Sequence, residues 1–553
     1  AYTPSRHYHY ALVSSSGGKA TQEQIDVKGV STLSTVDGLN RVVEAKRIDR
    51  DFVQKGQEPN YRPTYKAMYD GLGDLIEEVD FEWHRDEDVP LKTTFSYDNW
   101  GQRCKTVGPD KVVHHDRVDP IGTPERLGPV RRTWSESEDA VLGSGQTITF
   151  MNLFEKPVRV ERLTASRKPY SVHQYFYDGL GRSVREKDAE QNETWFSYDA
   201  FNRLVDHTLA DRALVHRDYA LHSTGDLPEL IQVTRRGGSE PSVLGLQRFD
   251  GLDRLVESTT GGRLRSLEYE PGQRKPKAVI TPKKKRIEYK YVPQLGEEAV
   301  ERKQVDAGIT GHFDYDPQNA RLLSCSEHGV AMTRDYFSTG ELKSETCSFD
   351  GGKPYEMKYV HSLQGKMLSY IDVLGAEQSY SYDGAARLKS TSLGTLHSNF
   401  EYDDLGRNDF FETIDNTPGE PARRLGTQLK FDDFDREISR TFDFGDAKQT
   451  LSQRYDKADR IIGKVLRRGK ELLRREVFDY DERGRLVEYT CSGIDEYMPV
   501  DPYGNRIRRQ TFRFDAIDNI TRVLTAHAQG EVDVVYHFAN LADPAQLTGF
   551  TVR

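Results

Sequence analysis

Apolar and polar residues alternate along most of this 553-residue chain, in short runs that end at turn-forming residues. The run from Arg485 to Tyr489 is typical, and its aromatic and β-branched residues favour strands. The segment from Phe478 to Glu488 shows the complete pattern: an aromatic strand end, an Asp, a short turn with Gly, an Arg and an apolar run. The pattern predicts β-strands joined by tight turns, and therefore an all-β fold.

This pattern repeats along the chain, and an internal repeat decides the fold before any single motif does. The aromatic residue before the Asp, or before its degenerate substitute, serves as the anchor of each copy. Most neighbouring anchors lie 20 to 25 residues apart, which leaves room for two strands and two turns. The anchors are Tyr69, Tyr97, Tyr177, Tyr198, Tyr219, Phe249, Tyr269, Tyr291, Tyr315, Tyr336, Tyr359, Tyr382, Tyr402, Phe431, Tyr455, Tyr480, Phe514 and Phe538, with a worn copy at Val36–Val42.

Four positions define the repeat: the Tyr, the Asp, a Gly or Asn, and the Arg. The Asp can accept hydrogen bonds from its own turn and lies near the Arg, so we interpret it as the residue that organises the turn. The Gly or Asn supplies the positive φ that a tight turn needs. The predicted repeat-defining structural residues are Tyr177, Asp178, Gly181, Arg182, Tyr198, Asp199, Arg203, Tyr382, Asp383, Arg387, Tyr402, Asp403, Gly406, Arg407, Tyr480, Asp481, Gly484 and Arg485.

Each repeat is then a β-hairpin-like element that cannot bury its apolar face alone, so stacked neighbours supply the missing contacts. About 17 two-stranded elements give roughly 34 strands and on the order of 160 Å of ladder, whereas about eight strands already close a barrel filled by side chains. A strip of this length must coil, and a coiled strip could enclose a cavity.

The motif Tyr-Asp-x-x-Gly-Arg-Leu at this period resembles the YD repeats of the Rhs family. That family includes bacterial polymorphic toxins, the C component of insecticidal toxin complexes and the animal teneurins. The resemblance covers residues 170–550 well and residues 30–110 loosely. It implies a β-hairpin array coiled as a spiral strip that forms all or part of a hollow shell, or cocoon, around a cargo polypeptide.

The repeat divides the chain into four regions. Residues 1–64, with Gly17 and Gly18, are predicted to be a leading segment with few strands, and residues 65–107 to hold degenerate YD repeats. Residues 108–170 form an irregular or inserted region, which we interpret as drifted strands and loops rather than an inserted lobe. Residues 171–553 are predicted to be a nearly continuous YD-repeat array.

Charge and composition reduce the number of functions that the chain could have. The net charge of −10 argues against a general nucleic-acid binder, for which a basic face is expected. No apolar run has the length of a membrane span, and no charged n-region precedes an apolar stretch. The chain begins without Met and ends just after a repeat, so we expect a fragment or processed product whose polypeptide continues. The resemblance implies synthesis in the bacterial cytoplasm and export without a cleavable signal peptide.

The sequence predicts no metal or cofactor. The four Cys do not make a disulfide framework, and Cys325 and Cys347 are expected to be buried free thiols, although equivalent places in adjacent repeats leave a disulfide open. The doublet His114-His115 before Asp116 is interpreted as solvated surface rather than as metal ligands. The basic run Pro282–Arg286 is interpreted as a charged hairpin turn that protects a sheet edge.

No nucleophile elbow, Walker loop or dinucleotide fingerprint is present, so we expect the segment not to be an enzyme. In Rhs toxins the resemblance implies an autoproteolytic core, Asp-Pro-x-Gly, that ends the shell. Asp119–Gly122 and Asp501–Gly504 share its four residues but not its position or sequel. Turn chemistry accounts for both, and the cleavage site is expected beyond Arg553.

Two functions follow from these observations. The first is the structural shell of a secreted bacterial Rhs toxin, which encapsulates a C-terminal toxic domain until delivery by a type VI or toxin-complex apparatus. Its expected partners are the cargo, the remaining shell segments and the delivery apparatus. The alternative is a carbohydrate-binding or teneurin-like cell-surface adhesion module, because abundant Tyr could stack on sugars.

Overall fold

The computed structural model describes residues 7–11, 19–48, 61–84, 87–121, 128–292, 295–296 and 298–553. Part of the predicted leading segment, including Gly17 and Gly18, lies outside the described residues. Gly122 of the first Asp-Pro-x-Gly motif also lies outside them.

The described residues form strands throughout. The first half of the strands is β1 His7–Ala11, β2 Ala20–Ile25, β3 Ser31–Val36, β4 Val42–Ile48, β5 Arg62–Tyr69, β6 Leu75–His84, β7 Glu87–Tyr97, β8 Arg103–Val107, β9 Val113–Asp119, β10 Val130–Glu136, β11 Gln146–Met151, β12 Pro157–Leu163, β13 Pro169–Tyr177, β14 Ser183–Lys187, β15 Glu193–Tyr198, β16 Leu204–Thr208, β17 Leu214–Tyr219, β18 Pro228–Thr234, β19 Ser242–Phe249, β20 Leu255–Thr260, β21 Arg263–Glu268 and β22 Ala278–Ile280.

The second half is β23 Arg286–Tyr291, β24 Ala299–Gln304, β25 Ile309–Tyr315, β26 Leu322–Glu327, β27 Val330–Tyr336, β28 Leu342–Phe349, β29 Tyr355–His361, β30 Met367–Ile371, β31 Glu377–Tyr382, β32 Leu388–Leu393, β33 Leu396–Tyr402, β34 Asn408–Asp415, β35 Arg423–Phe431, β36 Glu437–Asp443, β37 Lys448–Tyr455, β38 Ile461–Arg468, β39 Glu471–Tyr480, β40 Leu486–Gly493, β41 Arg509–Phe514, β42 Ile520–His527, β43 Gly530–His537 and β44 Gly549–Val552. Two single-turn 3₁₀ helices, Val305–Ala307 and Asp495–Tyr497, complete the described elements.

The predicted all-β array is confirmed: the residues that the structure describes form one 44-stranded antiparallel sheet in which strands consecutive in the chain are paired. The expectation of roughly 34 strands from the repeat count and strand spacing was too low. Strands also form where the anchors are weak or absent, at β1–β4 and at β9–β12. The boundaries of the four sequence regions stay a prediction.

A β-bulge marks the point where most of the anchors meet their turns. The register shifts by one residue between Phe176 and Tyr177, and the same shift occurs at Tyr198, Tyr382 and Tyr480. Such a bulge next to a tight turn increases the local twist of the hairpin. The repeat therefore sets both the turn and the twist of the strip.

Side chains of the sheet are mostly half-buried. The accessible surface is 32614 Å², whereas a compact monomer of this size exposes roughly 20,000 Å². The strip thus gains its stability from neighbouring strands more than from a deep core. One local core does form where residues 494–508 fold back on the sheet, with Tyr489, Cys491, Met498 and Ile507 all buried.

Three predictions about single residues can be compared with the structure. The interpretation of His114-His115 as solvated surface is wrong for His115, which is buried with its Nε2 2.8 Å from Glu136, whereas His114 is exposed.

Cys325 and Cys347 are free but half-buried rather than buried, and both are paired in register with Met332, on opposite sides of it. The two thiols are therefore two strands apart, roughly 10 Å, which is too far for a disulfide. The basic run forms the predicted turn, because the Thr281 N–H donates to the Lys285 carbonyl (2.9 Å) between β22 and β23.

The chain forms two compact units. Unit 1 contains residues 1–117, 135–142 and 286–425, and unit 2 contains residues 118–134, 143–285 and 426–553. Within each unit we name the earlier long segment the first run and the later one the second run. Turns that follow odd-numbered strands form the odd edge of a run, and turns that follow even-numbered strands form its even edge.

Candidate functional site: the Asp–Arg turns and the edge seams

The turn between β13 and β14 shows how the repeat residues work. The Asp178 N–H donates to the Arg182 carbonyl and the Gly181 N–H donates to the Asp178 carbonyl, each at 3.0 Å. Oδ1 of Asp178 accepts from the N–H groups of Leu180 and Arg182 (both 2.9 Å), and Oδ2 accepts from Arg182 Nε (2.7 Å). Gly181 has φ of 75°, which favours a residue without Cβ. The Asp therefore binds its turn and its Arg at once.

Each turn is also tied to the next hairpin. Arg182 Nη1 donates to the Asp199 carbonyl (3.2 Å), and its guanidinium lies 4.9 Å from the centroid of the Tyr198 ring. The Tyr198 hydroxyl donates back to the Ser183 carbonyl (2.8 Å). The anchor Tyr and the Arg of the preceding repeat therefore stack on each other and connect two consecutive hairpins.

The other predicted residues occupy the same places. The Asp carboxylate binds its turn and its Arg at Asp199–Arg203, Asp383–Arg387, Asp403–Arg407 and Asp481–Arg485. The hydroxyls of Tyr177, Tyr382, Tyr402 and Tyr480 donate to the carbonyls of Pro157, Met367, Leu388 and Ile461. Gly406 and Gly484 have φ of 78° and 80°. These residues are spread along the strip, one turn to each hairpin, and their role as repeat-defining residues awaits substitution.

The turn tolerates several substitutes. Asn202 and Ala386 take the positive-φ position with φ of 67° and 61°. Asn152 replaces the Asp in the turn after β11, and its Oδ1 accepts from the N–H groups of Phe154 (2.9 Å) and Lys156 (3.0 Å). The acceptor geometry of the side chain is thus what the turn requires, more than its charge.

Electrostatics agree with this geometry. The Arg182 N–H, the Arg182 guanidinium and the Leu180 N–H lower the pKa of the Asp178 carboxyl, against an opposing effect of burial. Burial raises the pKa of the phenols of Tyr177, Tyr198 and Tyr480. At neutral pH the carboxylate is therefore an acceptor and each phenol remains a donor.

In unit 2 the odd edge of the second run packs on the even edge of the first run. Oδ2 of Asp433 accepts from the Ala165 N–H (2.8 Å), and the Lys457 N–H donates to Glu190 (2.9 Å). Ion pairs continue this seam between Arg483 and Asp211, Arg485 and Asp211, and Arg263 and Asp543. We name this contact the unit 2 seam.

Arg436 connects the two runs in the unit 2 seam. Its Nη1 donates to the Tyr170 hydroxyl (2.9 Å) and to Asp459 (2.6 Å), which also accepts two bonds from Arg162 (2.7 and 2.8 Å). The Phe434 ring lies between Tyr170 and Arg162: its centroid is 4.4 Å from the centroid of the Tyr170 ring and 4.7 Å from Cζ of Arg162. Burial raises the pKa of Asp459, but the bonds and charges of Arg162 and Arg436 outweigh it, so the pKa is lowered.

Unit 1 has the same arrangement, which we name the unit 1 seam. The Gln364 N–H on the odd edge of the second run donates to Glu82 (2.9 Å), whose side chain is fully buried. Leu363 is buried beside it, and its carbonyl accepts from Arg47 (3.2 Å). Other contacts of this seam are the Lys28–Asp316 ion pair and the close approach of Gly406 to Asp110, where a Cβ would lie 2.8 Å from the carboxylate.

Both seams follow one rule: the odd edge of the second run lies on the even edge of the first. The partners are 266 to 297 residues apart in unit 2 and 282 to 316 residues apart in unit 1. In each unit the strip thus meets itself after a nearly constant length of chain.

In the second Asp-Pro-x-Gly motif, the Asp501 carboxylate is held by hydrogen bonds within its own turn. Oδ1 of Asp501 accepts from Tyr503 (2.9 Å) and Asn505 (2.8 Å), and Oδ2 accepts from Asn505 Nδ2 (3.1 Å). Burial raises the pKa of Asp501, but these bonds outweigh it and lower the pKa, which is unfavourable for a proton donor. Among the residues that the structure describes, no group of three His, Cys, Asp or Glu side chains could hold a metal ion.

The sequence pattern did not indicate the seam residues. None of the four repeat-defining positions is occupied by Glu82, Gln364, Tyr170 or Phe434. Each of them contacts a residue more than 250 positions away, which a local pattern does not reveal. Arg436 follows the anchor Phe431 and was recognisable as a repeat Arg, but its second role at the seam was not.

No helix among the described residues has the length and hydropathy to cross a bilayer. No protein-family model matches the chain. Among curated proteins, the double-stranded DNA deaminase toxin A of Burkholderia cenocepacia (strain H111) is 24% identical over 500 residues, which are 81% of this chain and 31% of that protein.

Solved structures of TcdB2-TccC3 share the fold. TcdB2-TccC3 matches with a TM-score of 0.57 and 11% identity over 96% of this chain and 34% of that chain. TcdB2-TccC3 without its hypervariable C-terminal region matches with a TM-score of 0.52 and 11% identity over 94% of this chain and 32% of that chain. The chain therefore spans only 31 to 34% of the length of these proteins. The likeness to an Rhs-type toxin shell, suggested by the repeats, is confirmed at the level of fold.

Proposed function

We propose that this chain, which shares its fold with the toxin-complex protein TcdB2-TccC3, is a segment of the shell of a secreted bacterial Rhs toxin. The shell encloses a C-terminal toxic domain and keeps it inactive until a type VI or toxin-complex apparatus delivers it. The chain itself has a structural role and carries out no catalytic step. Its partners are the cargo and the remaining shell segments, and it binds no nucleic acid.

One observation carries the proposal. In each unit a single-layered strip packs edge to edge on itself, through turns held by their own Asp and Arg side chains. A wall needs lateral contacts of this kind, because strand pairing extends a sheet in one direction only. The likeness to TcdB2-TccC3 both with and without its hypervariable C-terminal region supports a shell whose fold is independent of its cargo.

Protease protection tests the proposal. In a polypeptide that carries this chain followed by its C-terminal domain, that domain should resist a protease that digests it readily when it is produced alone. Opening a seam with Arg436→Ala or Glu82→Ala should expose it, whereas Arg182→Ala, in a turn of the first run away from both seams, should not. Equal digestion of the domain with and without the intact shell segment would reject encapsulation.

A further inference from the structure

The hairpin of β16 and β17 contains a histidine whose two ring nitrogens both face carboxylates. His216 Nδ1 lies 2.6 Å from Oδ1 of Asp206, which is paired with it across the two strands. His216 Nε2 lies 3.2 Å from Oδ1 of Asp218, two residues further along β17. The other oxygen of Asp206 accepts from the Ser197 hydroxyl on β15 (3.0 Å). One row of polar side chains on one face of the sheet therefore connects three strands.

This arrangement fits the protonated form of the ring. A neutral imidazole has one N–H group and one lone pair, so one of its nitrogens would present a lone pair to an ionised carboxylate. The imidazolium of His216 donates from both nitrogens and satisfies Asp206 and Asp218 together. The row is not a catalytic triad, because a carboxylate and not the imidazole lies between the other two groups. Its chemistry is therefore the uptake and release of a proton.

The strands that surround His216 present two charged groups to it, Asp206 on β16 and Asp218 on β17. Ser197 on β15 and Gln232, which is paired with His216 on β18, carry no charge. The bond to Asp206 raises the pKa of His216, and the bond to Asp218 and the charges of both carboxylates act in the same direction. Together they outweigh the opposite effect of burial. The environment of His216 therefore favours the imidazolium.

His207, the neighbour of Asp206 on β16, has the opposite tendency. Its ring lies on the other face of the sheet and stacks on Phe196, with the two ring centroids 4.8 Å apart. Burial lowers the pKa of His207, and the charges of Arg217 and Arg483 act in the same direction. One hairpin thus contains a histidine that favours its proton on one face and a histidine that disfavours it on the other.

The turn of the same hairpin carries a contact of the unit 2 seam. Oδ2 of Asp211 in this turn lies 3.3 Å from Nη2 of Arg485 and 3.4 Å from Nη1 of Arg483. Both arginines belong to the odd edge of the second run. Asp206 and His216 are the third pair of residues from the turn. A bond between their side chains therefore holds together the part of the hairpin that presents Asp211 to the seam.

We propose that His216 is a proton-dependent clasp of the unit 2 seam. With its proton, the ring binds Asp206 and Asp218 together and fixes the hairpin, so that Asp211 is held against the second run. Without the proton, the two carboxylates lose their common donor, and the hairpin and its seam contact loosen. This inference does not depend on whether the chain encloses a cargo.

The direction of the pH dependence follows from linkage. The pKa of His216 is higher in the folded chain than its ordinary value of 6.5. The stabilising effect of the clasp is therefore fully present below the ordinary value and is lost as pH rises through the raised value. The unit 2 seam should be strongest in mildly acid solution and weaker in alkaline solution.

Nuclear magnetic resonance of the intact chain, labelled at histidine and kept in EDTA, tests the clasp itself. The His216 signal, identified by its loss in His216→Gln, should titrate above the ordinary pKa of 6.5, and the His207 signal below it. Asp206→Asn and Asp218→Asn should each lower the pH at which His216 titrates. The control is Asp253→Asn, which removes a carboxylate from another His–Asp pair of unit 2 and should leave the His216 titration unchanged.

Hydrogen exchange tests the effect on the hairpin and on the seam. After correction for the intrinsic effect of pH, peptides covering 205–212 and 481–485 should exchange about tenfold faster at about pH 9 than at about pH 6. In His216→Gln this difference should disappear, and in Asp253→Asn it should remain. Asp218→Asn provides a milder variant, since the Asp218 side chain is 62% exposed, and it should reduce the difference to about twofold.

Three results would overturn the proposal. The first is a His216 signal that titrates at or below its ordinary pKa. The second is a pH response at 205–212 that persists in His216→Gln while circular dichroism shows that the strands are kept. The third is a hairpin that responds to pH while 481–485 does not, because the seam would then be independent of the proton.

Discussion

The unit 2 seam is held largely by ion pairs that water reaches, whereas the unit 1 seam is held largely by buried groups. In unit 2 the Asp459 side chain is 45% exposed and binds both Arg162 and Arg436. In unit 1 Glu82 is fully buried and accepts a backbone N–H, with the apolar Leu363 buried beside it. Both seams also contain ion pairs, such as Lys28–Asp316 in unit 1, but only the unit 1 seam has a fully buried carboxylate as an acceptor.

The difference shows what the repeat does and does not specify. The Asp and Arg of each turn fix its backbone through bonds within five residues, so the side chains at the other turn positions are free to vary. Edge-to-edge packing then needs only that the variable side chains of facing turns are complementary. Either an ion pair or an apolar contact meets that requirement. The strength of each seam should therefore respond to different changes.

The largest effect is expected in unit 1 from Glu82→Ala. The change leaves the Gln364 N–H without its acceptor and removes a fully buried side chain, at a cost of about 3 kcal/mol. Hydrogen exchange of a peptide covering 362–366 should then be roughly a hundredfold faster. Glu78→Ala, on the same face of β6, is the control and should leave this peptide unchanged. Unchanged exchange in Glu82→Ala would show that the bond does not hold the seam.

A smaller effect is expected in unit 2 from Arg436→Ala. Arg436 and Arg182 both bind their own Asp and a side chain of the next turn, Asp459 and Asn202 respectively, but only Arg436 also binds Tyr170 across the seam. Protection of the even-edge turn at 164–168 should fall by about 1–2 kcal/mol in Arg436→Ala and remain unchanged in Arg182→Ala.

Arg436→Lys sharpens this test. A lysine keeps the charge but not the planar fork that reaches a hydroxyl and a carboxylate together, so most of the loss should remain. Full recovery of protection at 164–168 would mean that charge alone holds the seam.

High salt should weaken the unit 2 seam but not the unit 1 seam, and this effect should be smaller than that of Arg436→Ala. Ion pairs of exposed side chains are screened, so high ionic strength should reduce the protection of the turns at 164–168 and 456–460 by up to about 1 kcal/mol. The turn at 362–366 should not respond, since its acceptor Glu82 is fully buried. Hydrogen exchange at low and high sodium chloride measures both turns in one sample, and an equal response would contradict the comparison.

The smallest effect concerns acid and compares two turns on the odd edge of the first run in unit 2. The pKa of Asp178 is lowered by folding, so its stabilising effect is fully present above the ordinary Asp pKa and is lost as pH falls through the lowered value. Asn152 makes the same backbone bonds without a titrating group.

The amides of Leu180 and Arg182 should therefore lose protection in acid, whereas those of Phe154 and Lys156 should not. Exchange rates corrected for the intrinsic effect of pH provide the measurement. A parallel loss in both turns would show that acid acts on the sheet as a whole.

The sequence allowed the turns to be predicted because their bonds are local. Asp178, Gly181 and Arg182 lie within five residues, and their types alone suggest a tight turn with an internal acceptor. The strands β9–β12 were harder to recognise, since Asn152 and Lys156 replace the Asp and Arg there while keeping the backbone bonds. The bond from each Tyr hydroxyl to the preceding hairpin was missed, although the period brings the two together.

The seams could not be predicted from local pattern. Glu82 and Gln364 resemble any polar residues at the end of a strand or in a turn, and only the path of the strip brings them together. A small difference in twist at each hairpin accumulates over many strands, so the register between two runs depends on all the residues between them.

The nearly constant spacing of seam partners along the chain determines how long after its first residue is made each seam contact can form during synthesis. Hairpins of the first run pair with neighbours made moments earlier, whereas Tyr170 waits for Arg436, which is 266 residues further along. At about 5–20 residues per second, that wait is roughly 13 to 53 seconds. During this interval the even-edge turn beside Tyr170 has no opposite edge, so a factor that shields nascent chains would have its greatest effect in that period.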